Sequence, residues 1–436
     1  MQKKLALHSL GCKVNSYETE KLRDELAAAG YEIVPFAPGA GIYIINTCTV
    51  TNVADRKSRQ MLHKAKKMNP DAIVVATGCY VQADAKEAEI DSAVDLVVDN
   101  TDKHRLPAIL EEYLRGRRGC EAGVEQEAAF PNEHDSLSHV RAFCKIQDGC
   151  NQFCSYCIIP YVRGRIKSRP KAELYDEIVE LAQKGYREIV LTGIHISSYG
   201  LDRQDEPQTM LIDLLEALHC IEGIERIRLG SLEPRIITPD FAKRLARLPK
   251  LCPHFHLSLQ SGCDETLRRM NRKYTMEEYE ASVRLLRTYF PDLALTTDLI
   301  VGFPGETPQE FAQTYEAVEQ LDFYETHVFK YSKRQGTKAA VMPDQIPGDV
   351  QQDRSERLLC LNRRQMQAYE DTYKGRVVEV LFEEEKVIDS QVYFVGHTRE
   401  YCKVAVLKDE RSYVNEILSV RILGHVQDGL LLGGLQ

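Results

Sequence analysis

No uninterrupted apolar run in this 436-residue chain approaches the ~18 residues of a membrane-spanning helix, so none is expected. Nor is a secretory leader expected. Two lysines stand near the start, but Ser9 and Gly11 follow too soon for an apolar h-region, and a cytoplasmic location is the expectation. Positive charge is in short supply: the formal net charge is −9. That sum does not advertise a nucleic-acid binder, although a local basic face would suffice for one. The signature of disorder is absent as well, since 43% hydrophobic and 28% charged residues are ordinary for a globular protein. At roughly 150 residues per domain, the length implies about three domains and several buried cores.

Cysteine, by contrast, is plentiful. The 13 thiols are odd in number and spread along the whole chain, which does not suit a disulfide framework. In a reducing compartment, clustered cysteines more often hold metals or do chemistry.

Residues 1–114 alternate strand and helix. Lys4–Leu10, Gly41–Asn46, Ala72–Thr77 and Val94–Val98 are short apolar runs. Asn15 with Glu18 reads as a capping box, and a second helix is expected over Asp55–Met68. Units of about 30 residues imply a doubly wound parallel α/β domain. Residues 115–139 lose this periodicity, carry Arg115, Arg117 and Arg118, and read as a linker. Over 140–370 the alternation resumes, with strands at Ala142–Gln147, Glu188–Gly193, Arg226–Ser231, His254–Leu259, Leu293–Val301 and Phe323–Tyr331. Helices are expected at Lys171–Gln183, Pro308–Leu321 and Ser355–Tyr373. Six β/α units suggest a barrel-like parallel sheet, complete or partial. Residues 371–436 hold five short strands and no helix, which suggests a small OB-like β-barrel.

Cys150, Cys154 and Cys157 form a C-x3-C-x2-C run just past the first barrel strand. Three thiolates from one loop can hold three irons of a cubane and leave the fourth open. The competing reading is a structural zinc site with Cys144 as fourth ligand. Cys12, Cys48 and Cys79 each directly follow a strand of the first domain. In a parallel sheet those strand ends share one edge, so three distant thiols should converge. Gly11 and Gly78 would let the backbones approach closely. The bland alternative is three core cysteines. Cys120, Cys144, Cys220, Cys252, Cys263, Cys360 and Cys402 show no mutual pattern and read as structural.

Cys150–Cys157, with Tyr156 before the last cysteine, resembles the radical S-adenosylmethionine signature. The strand-end cysteines resemble those of the methylthiotransferases, and Gly396-His397-Thr398 with Tyr401–Val404 is similar to a TRAM domain. Gly11–Asn15, Asn46–Thr51, Gln147–Cys150, Leu191–His195 and His256–Gly262 most resemble the MtaB-type branch. The resemblance covers essentially the whole chain. It implies two 4Fe-4S clusters, one on Cys12, Cys48 and Cys79 and one on Cys150, Cys154 and Cys157. It further implies S-adenosylmethionine as methyl donor and radical source. The reaction implied is methylthiolation at C2 of N6-threonylcarbamoyladenosine beside a tRNA anticodon. For the cofactor it suggests Tyr156, Thr192 and Gly193, then Glu233 for the ribose and Gly302 and Gly305 on the adenine side. Each of the last five also reads simply as a strand-end or turn residue.

The partners then expected are tRNA, an electron donor of flavodoxin or ferredoxin type and a sulfur donor. Nothing demands more than a monomer. Phosphate contacts are expected from seven cations over Arg141–Lys171 against one acid, Asp148, and from Arg56, Lys57, Arg59, Lys64, Lys66 and Lys67. From Asp371 onward, eight Lys and Arg face eleven Asp and Glu, so Tyr393, Phe394 and Tyr401 would have to stack on bases. A cation should meet the carboxylate of a threonylcarbamoyl group, and Arg163 and Arg165 are the candidates. Isopentenyladenosine as substrate, a non-catalytic iron–sulfur protein and a zinc-stabilised RNA binder are the alternatives.

Overall fold

A computed structural model describes residues 3–83, 88–89, 91–118, 140–203 and 210–436. Its first unit is a five-stranded parallel sheet: β1 (Lys4–Ser9), β2 (Glu32–Ile33), β3 (Ile42–Thr47), β4 (Ile73–Gly78) and β5 (Leu96–Val98). The spatial order is β2-β1-β3-β4-β5. Every residue of β3 and β4 is buried, as apolar runs covered on both faces demand. Helix α1 (Lys13–Ala28) packs Leu22 and Leu26 on one face beside Leu106 and Leu110 of the helix Leu106–Arg118. Helix α2 (Asn52–Met68) covers the other face with Leu62 and Ala65.

Two local expectations change. The N-cap of α1 is Cys12, and no side chain caps it. Asn15 therefore forms no capping box. It lies inside the helix and donates to the Leu10 and Thr47 carbonyls at 2.7 and 2.9 Å. Residues 115–118, read as the start of a linker, continue the helix Leu106–Arg118. The rest of that segment, 119–139, lies outside the described residues.

The central unit aligns six parallel strands: β6 (Arg141–Asp148), β8 (Glu188–Gly193), β9 (Arg226–Leu229), β10 (His254–His256), β11 (Ala294–Val301) and β12 (Glu325–Lys330). The two-residue β7 (Lys167–Ser168) runs antiparallel beside β6. Parallel bridges Ile227–Leu251 and Leu232–Leu257 continue the curved layer between its two ladders. Among the described residues β6 and β12 do not pair, so the barrel is partial. Alternate residues such as Ile189, Leu191, Ile227, Leu229 and Phe255 join the core under the surrounding helices. The other set faces the lumen, which is polar: Glu188, Arg226, Arg228, His254 and His256. Helix α1 packs against β6 and β8 at the open side.

The last unit is a closed barrel of β13 (Val377–Ile388), β14 (Gln391–His397), β15 (Lys403–Leu407), β17 (Leu430–Leu435) and β16 (Ile417–Gln427), in that spatial order. It seals the N-terminal ends of the central strands. Arg226 and Arg228 donate to the carbonyls of His397 and Arg399 at 3.0 and 2.9 Å. Tyr401 stacks between His254 and His397, with the guanidiniums of Arg141 and Arg228 5.0 and 4.7 Å from its ring centroid. Phe394 is fully buried, and Tyr393 lies among the core residues of this barrel. None of the three aromatics expected to stack on RNA is therefore available for it.

Glu188 is fully buried between Arg228 (2.8 Å) and Arg226 (3.8 Å). Burial alone would raise its carboxyl, but the two arginines and Arg141 hold it below the usual range. Removing it leaves buried guanidiniums without a counter-charge. Glu188→Gln is expected to cost about 3–5 kcal/mol of stability at neutral pH. A depressed carboxylate stabilises above its unfolded value of roughly 4.3 and loses that contribution as pH falls through its lower folded value. In urea unfolding, the gap between variant and wild type should be full at pH 7 and narrow in acid.

Candidate active site

The three strand-end thiols of the first sheet do converge. Cys12 caps α1 after β1, Cys48 follows β3, and Cys79 opens a short helix, Cys79–Ala83, after β4. Gly11 takes φ +98°, and a Cβ there would stand 2.7 Å from the Cys48 Sγ. Gly78 takes φ +100°, and a Cβ there would sit 2.6 Å from the Thr47 nitrogen. A side chain at either position would push the loops apart. Cys12 is exposed, while Cys48 and Cys79 are buried. Burial, with Cys79 and Cys12 nearby, pushes the Cys48 thiol up to about 11.

The second set lies on the loop leaving β6. Burial pushes Cys157 up to about 12, and Cys154 and Cys150 add to the effect. Asn271 donates to the Phe153 carbonyl at 2.8 Å, and Ser155 donates to that of Arg269 at 2.8 Å. The cluster loop is thus moored to the helix Asp264–Arg269 and the residues after it. Arg272 places a guanidinium N–H 3.3 Å from the Cys154 Sγ. Nothing near Cys154 in the sequence signals Arg272, which lies 118 positions away. Cys144 is fully buried in the core beneath the helices and turns from the loop, so it cannot complete a zinc site there.

The spread of the thiols also argues against a single ion. Zn–S bonds near 2.3 Å would hold thiolates roughly 3.8 Å apart. Among the described residues, no three thiols gather within 4.8 Å of one another. Each set instead suits a larger cluster, with three ligands supplied and one corner left open. The one group that does gather is His256, Asp298 and His327. Its two rings stack at 5.8 Å and 19°, with the His256 Nε2 3.5 Å from Asp298.

Between the two thiol sets lies a buried ionic node. Glu18, on α1, binds Lys103 at 2.7 Å, Arg163 at 2.8 Å and Lys145 at 2.9 Å. Burial would raise Glu18, but Lys103, Arg163 and Lys145 outweigh it and hold the carboxylate well below its usual range. Arg163, six residues after Cys157, also reaches Asp148 at 3.1 Å, Asn15 at 2.7 Å and the Cys79 Sγ at 3.2 Å. One guanidinium thereby joins the loop of the second thiol set to a thiol of the first. A second clamp closes the other side. Arg334, past β12, donates to Asp55 at 2.5 Å, Thr49 at 2.6 Å and Asn52 at 2.7 Å.

These contacts revise the electrostatic expectations. Arg163 is not a free cation for a substrate carboxylate. Arg165 is exposed and lies 4.5 Å over the Phe153 ring, outside the node. Of the seven cations over Arg141–Lys171, Arg141 pairs with Glu383, Lys145 and Arg163 with the node, and Arg169 with Glu177. The stretch is structural glue more than a phosphate footprint. In the α2 patch, Lys66 is likewise taken by Asp95 at 2.7 Å.

The proposed cofactor residues divide into two groups. Tyr156 meets Phe303 edge-on at 6.3 Å, and Cys154 and Cys157 are among the groups acting on its hydroxyl. Thr192 is buried at the end of β8, and a Cβ on Gly193 would meet the Gln147 carbonyl at 2.9 Å. Glu233 accepts from Gln152, in the cluster loop, at 3.0 Å and faces the His195 Nε2 at 3.3 Å. Tyr156 and Glu233 therefore lie beside the second thiol set, while Thr192 and Gly193 stand at the end of β8 next to Gln147 of β6. Gly302 and Gly305 flank Phe303, which packs on Tyr156. Gln351 fills the free side of Gly302, and Gly305 faces Arg269.

Comparison with known proteins places this geometry. Residues 144–318 match the Radical SAM superfamily, and residues 4–99 match the Uncharacterized protein family UPF0004. The threonylcarbamoyladenosine tRNA methylthiotransferase MtaB of Bacillus subtilis (strain 168) is 41% identical over 427 residues, 96% of this chain and 93% of the relative. That of Aquifex aeolicus (strain VF5) is 40% identical, over 93% of this chain and 98% of the relative. The chain belongs to the radical S-adenosylmethionine tRNA methylthiotransferase family. The tRNA-2-methylthio-N(6)-dimethylallyladenosine synthase of Acetivibrio thermocellus is 35% identical, over 97% of this chain and 89% of the relative. Among solved structures, the radical S-adenosylmethionine methyltransferase TsrM of Kitasatospora setae shares the fold. It superposes with TM-score 0.57 at 17% identity, over 78% of this chain and 77% of that one. The family's cofactors are 4Fe-4S clusters and S-adenosylmethionine, and both thiol sets fit the clusters.

In the cluster-free protein, a thiol at about 11 carries roughly a hundredfold less thiolate than one at its ordinary value. Iodoacetamide at pH 8 under reducing, anaerobic conditions should therefore alkylate exposed Cys12 well before buried Cys48. Peptide mass spectrometry reads the order.

Proposed function

We propose that this enzyme methylthiolates C2 of N6-threonylcarbamoyladenosine at position 37 of tRNA, on the 3′ side of the anticodon. The observation that carries this reading is the meeting of two three-thiol sets, each one ligand short, across the Arg163 guanidinium. Cys12, Cys48 and Cys79 hold one 4Fe-4S cluster, and Cys150, Cys154 and Cys157 hold the other. Bound there, the clusters and S-adenosylmethionine supply the sulfur, the methyl group and the radical that a carbon with no acidic proton or leaving group requires.

The protein's own residues position and shield. Arg163 and Arg272 direct N–H groups at the Cys79 and Cys154 sulfurs. Thr192 and Gly193 at the end of β8, and Glu233, which accepts from Gln152 of the cluster loop, are the residues we assign to S-adenosylmethionine, with Tyr156. Gly302 and Gly305, on either side of Phe303 in the turn after β11, are assigned to the cofactor's adenine side. The threonylcarbamoyl substrate is favoured over the dimethylallyl one by the higher identity to the two MtaB relatives. A flavodoxin or ferredoxin-type donor and a sulfur donor complete the system, which we place in the cytoplasm. No described helix is long and apolar enough to cross a membrane.

Anaerobic reconstitution followed by iron and sulfide analysis checks the cluster assignment. Wild type should hold about eight irons per chain, and Cys150/Cys154/Cys157→Ala about four. Cys12/Cys48/Cys79→Ala should also retain about four. A wild-type value of four that falls to none in the first variant would remove the N-terminal cluster, and sulfur insertion with it.

A further inference from the structure

The ring of charge at the lumen floor is unbalanced. Arg141 is paired with Glu383 at 3.0 Å, and Arg228 and Arg226 share Glu188. The ammonium of Lys13 sits in the field of Arg141, Arg228 and Glu188, and His254 feels it as well. Four cations thus face three carboxylates: Glu188 and Glu383, both already paired, and Glu379, which acts on Arg226. Among the described residues Lys13 itself makes no hydrogen bond or ion pair. Its side chain is exposed even though it lies among buried groups, so it lines open space. The site is poised for an anion that the chain does not supply.

Lys13 is also the first residue of α1, directly after Cys12. In an adenine ring, C2 and C6 are both bonded to N1, so a group on N6 hangs beside the carbon at C2. If C2 faces Cys12, Cys48 and Cys79, the N6 side chain must lie close to the start of α1. We propose that Lys13 binds the carboxylate of the N6 side chain and selects an acidic adenosine over one carrying an apolar group. This inference rests on the threonylcarbamoyl reading above. It transfers to Lys13 the role first sought in Arg163, whose guanidinium is consumed by Glu18, Asp148, Asn15 and Cys79. A charge-assisted bond in a confined space is the strong kind, and pairing with a lone cation is where an amide cannot replace an acid.

The test uses reconstituted holoenzyme and synthetic anticodon stem–loop RNAs that differ only at N6. One carries the threonylcarbamoyl acid, one its carboxamide and one an isopentenyl group. Kd without S-adenosylmethionine and kcat/KM with it are measured for wild type, Lys13→Gln and Lys13→Arg, per iron-loaded chain. Wild type should favour the acid over the carboxamide about tenfold or more. Lys13→Gln should weaken acid binding to the carboxamide level and leave carboxamide binding unchanged, and Lys13→Arg should restore most of the preference. Retention of the acid preference in Lys13→Gln, or equal weakening of both RNAs, would overturn the role of Lys13. A wild type that prefers the isopentenyl RNA would overturn the substrate reading itself. That result is visible without any variant.

Discussion

The arrangement of this protein depends on one buried ion cluster. Glu18 is held by Lys103, Lys145 and Arg163 in a largely buried space. Such a cluster stabilises only when every charge is met, because each unpaired buried ion is costly. Its directionality is what matters here. Lys103 comes from the end of the first sheet, Lys145 from the first barrel strand and Arg163 from beyond the cysteine loop. The charges are satisfied only when the three segments meet at one point. Arg163 then has its remaining N–H directed at Cys79, so satisfying the ions also sets the spacing between two thiol sets 71 residues apart in sequence at their nearest, Cys79 and Cys150.

The barrel itself is unusual in what it encloses. A parallel barrel usually fills its interior with branched apolar side chains. Here the apolar residues face outward to the helices, and the lumen carries arginine, glutamate and histidine. Those polar groups are tolerated because the C-terminal barrel covers one end, supplying backbone carbonyls to Arg226 and Arg228 and an aromatic stack to His254. That duty explains why the small barrel can be acidic. The aromatics and much of the charge nearest the lumen serve the seal.

Much of the fold was legible because each strand is a short apolar run and each crossover helix has its own stripe. The helices Lys171–Gln183 and Pro308–Leu321 fall where periodicity puts them. The strand-end placement of Cys12, Cys48 and Cys79 was legible because a parallel sheet brings successive strand ends to one edge. What failed was reading charge from sequence neighbours. Asn15 and Glu18 have capping-box spacing, yet the partners of Glu18 lie 85, 127 and 145 positions away. Arg163 has the look of a surface cation, but its side chain is only 2% exposed. Arg272 left no local trace, because its contact to Cys154 is made by folding alone. Long-range ion pairing has no period, and a single sequence does not display it.

Electron paramagnetic resonance of the doubly reduced holoprotein tests the placement most directly. If the two thiol sets face one another across Arg163, the reduced clusters must sit close enough for their spins to couple. Wild type should then show a spectrum broadened and split beyond the sum of the two single-cluster spectra, taken from the Cys12/Cys48/Cys79→Ala and Cys150/Cys154/Cys157→Ala proteins. A wild-type spectrum equal to that simple sum, at full occupancy of both sites, would contradict the convergence on which the whole functional reading stands.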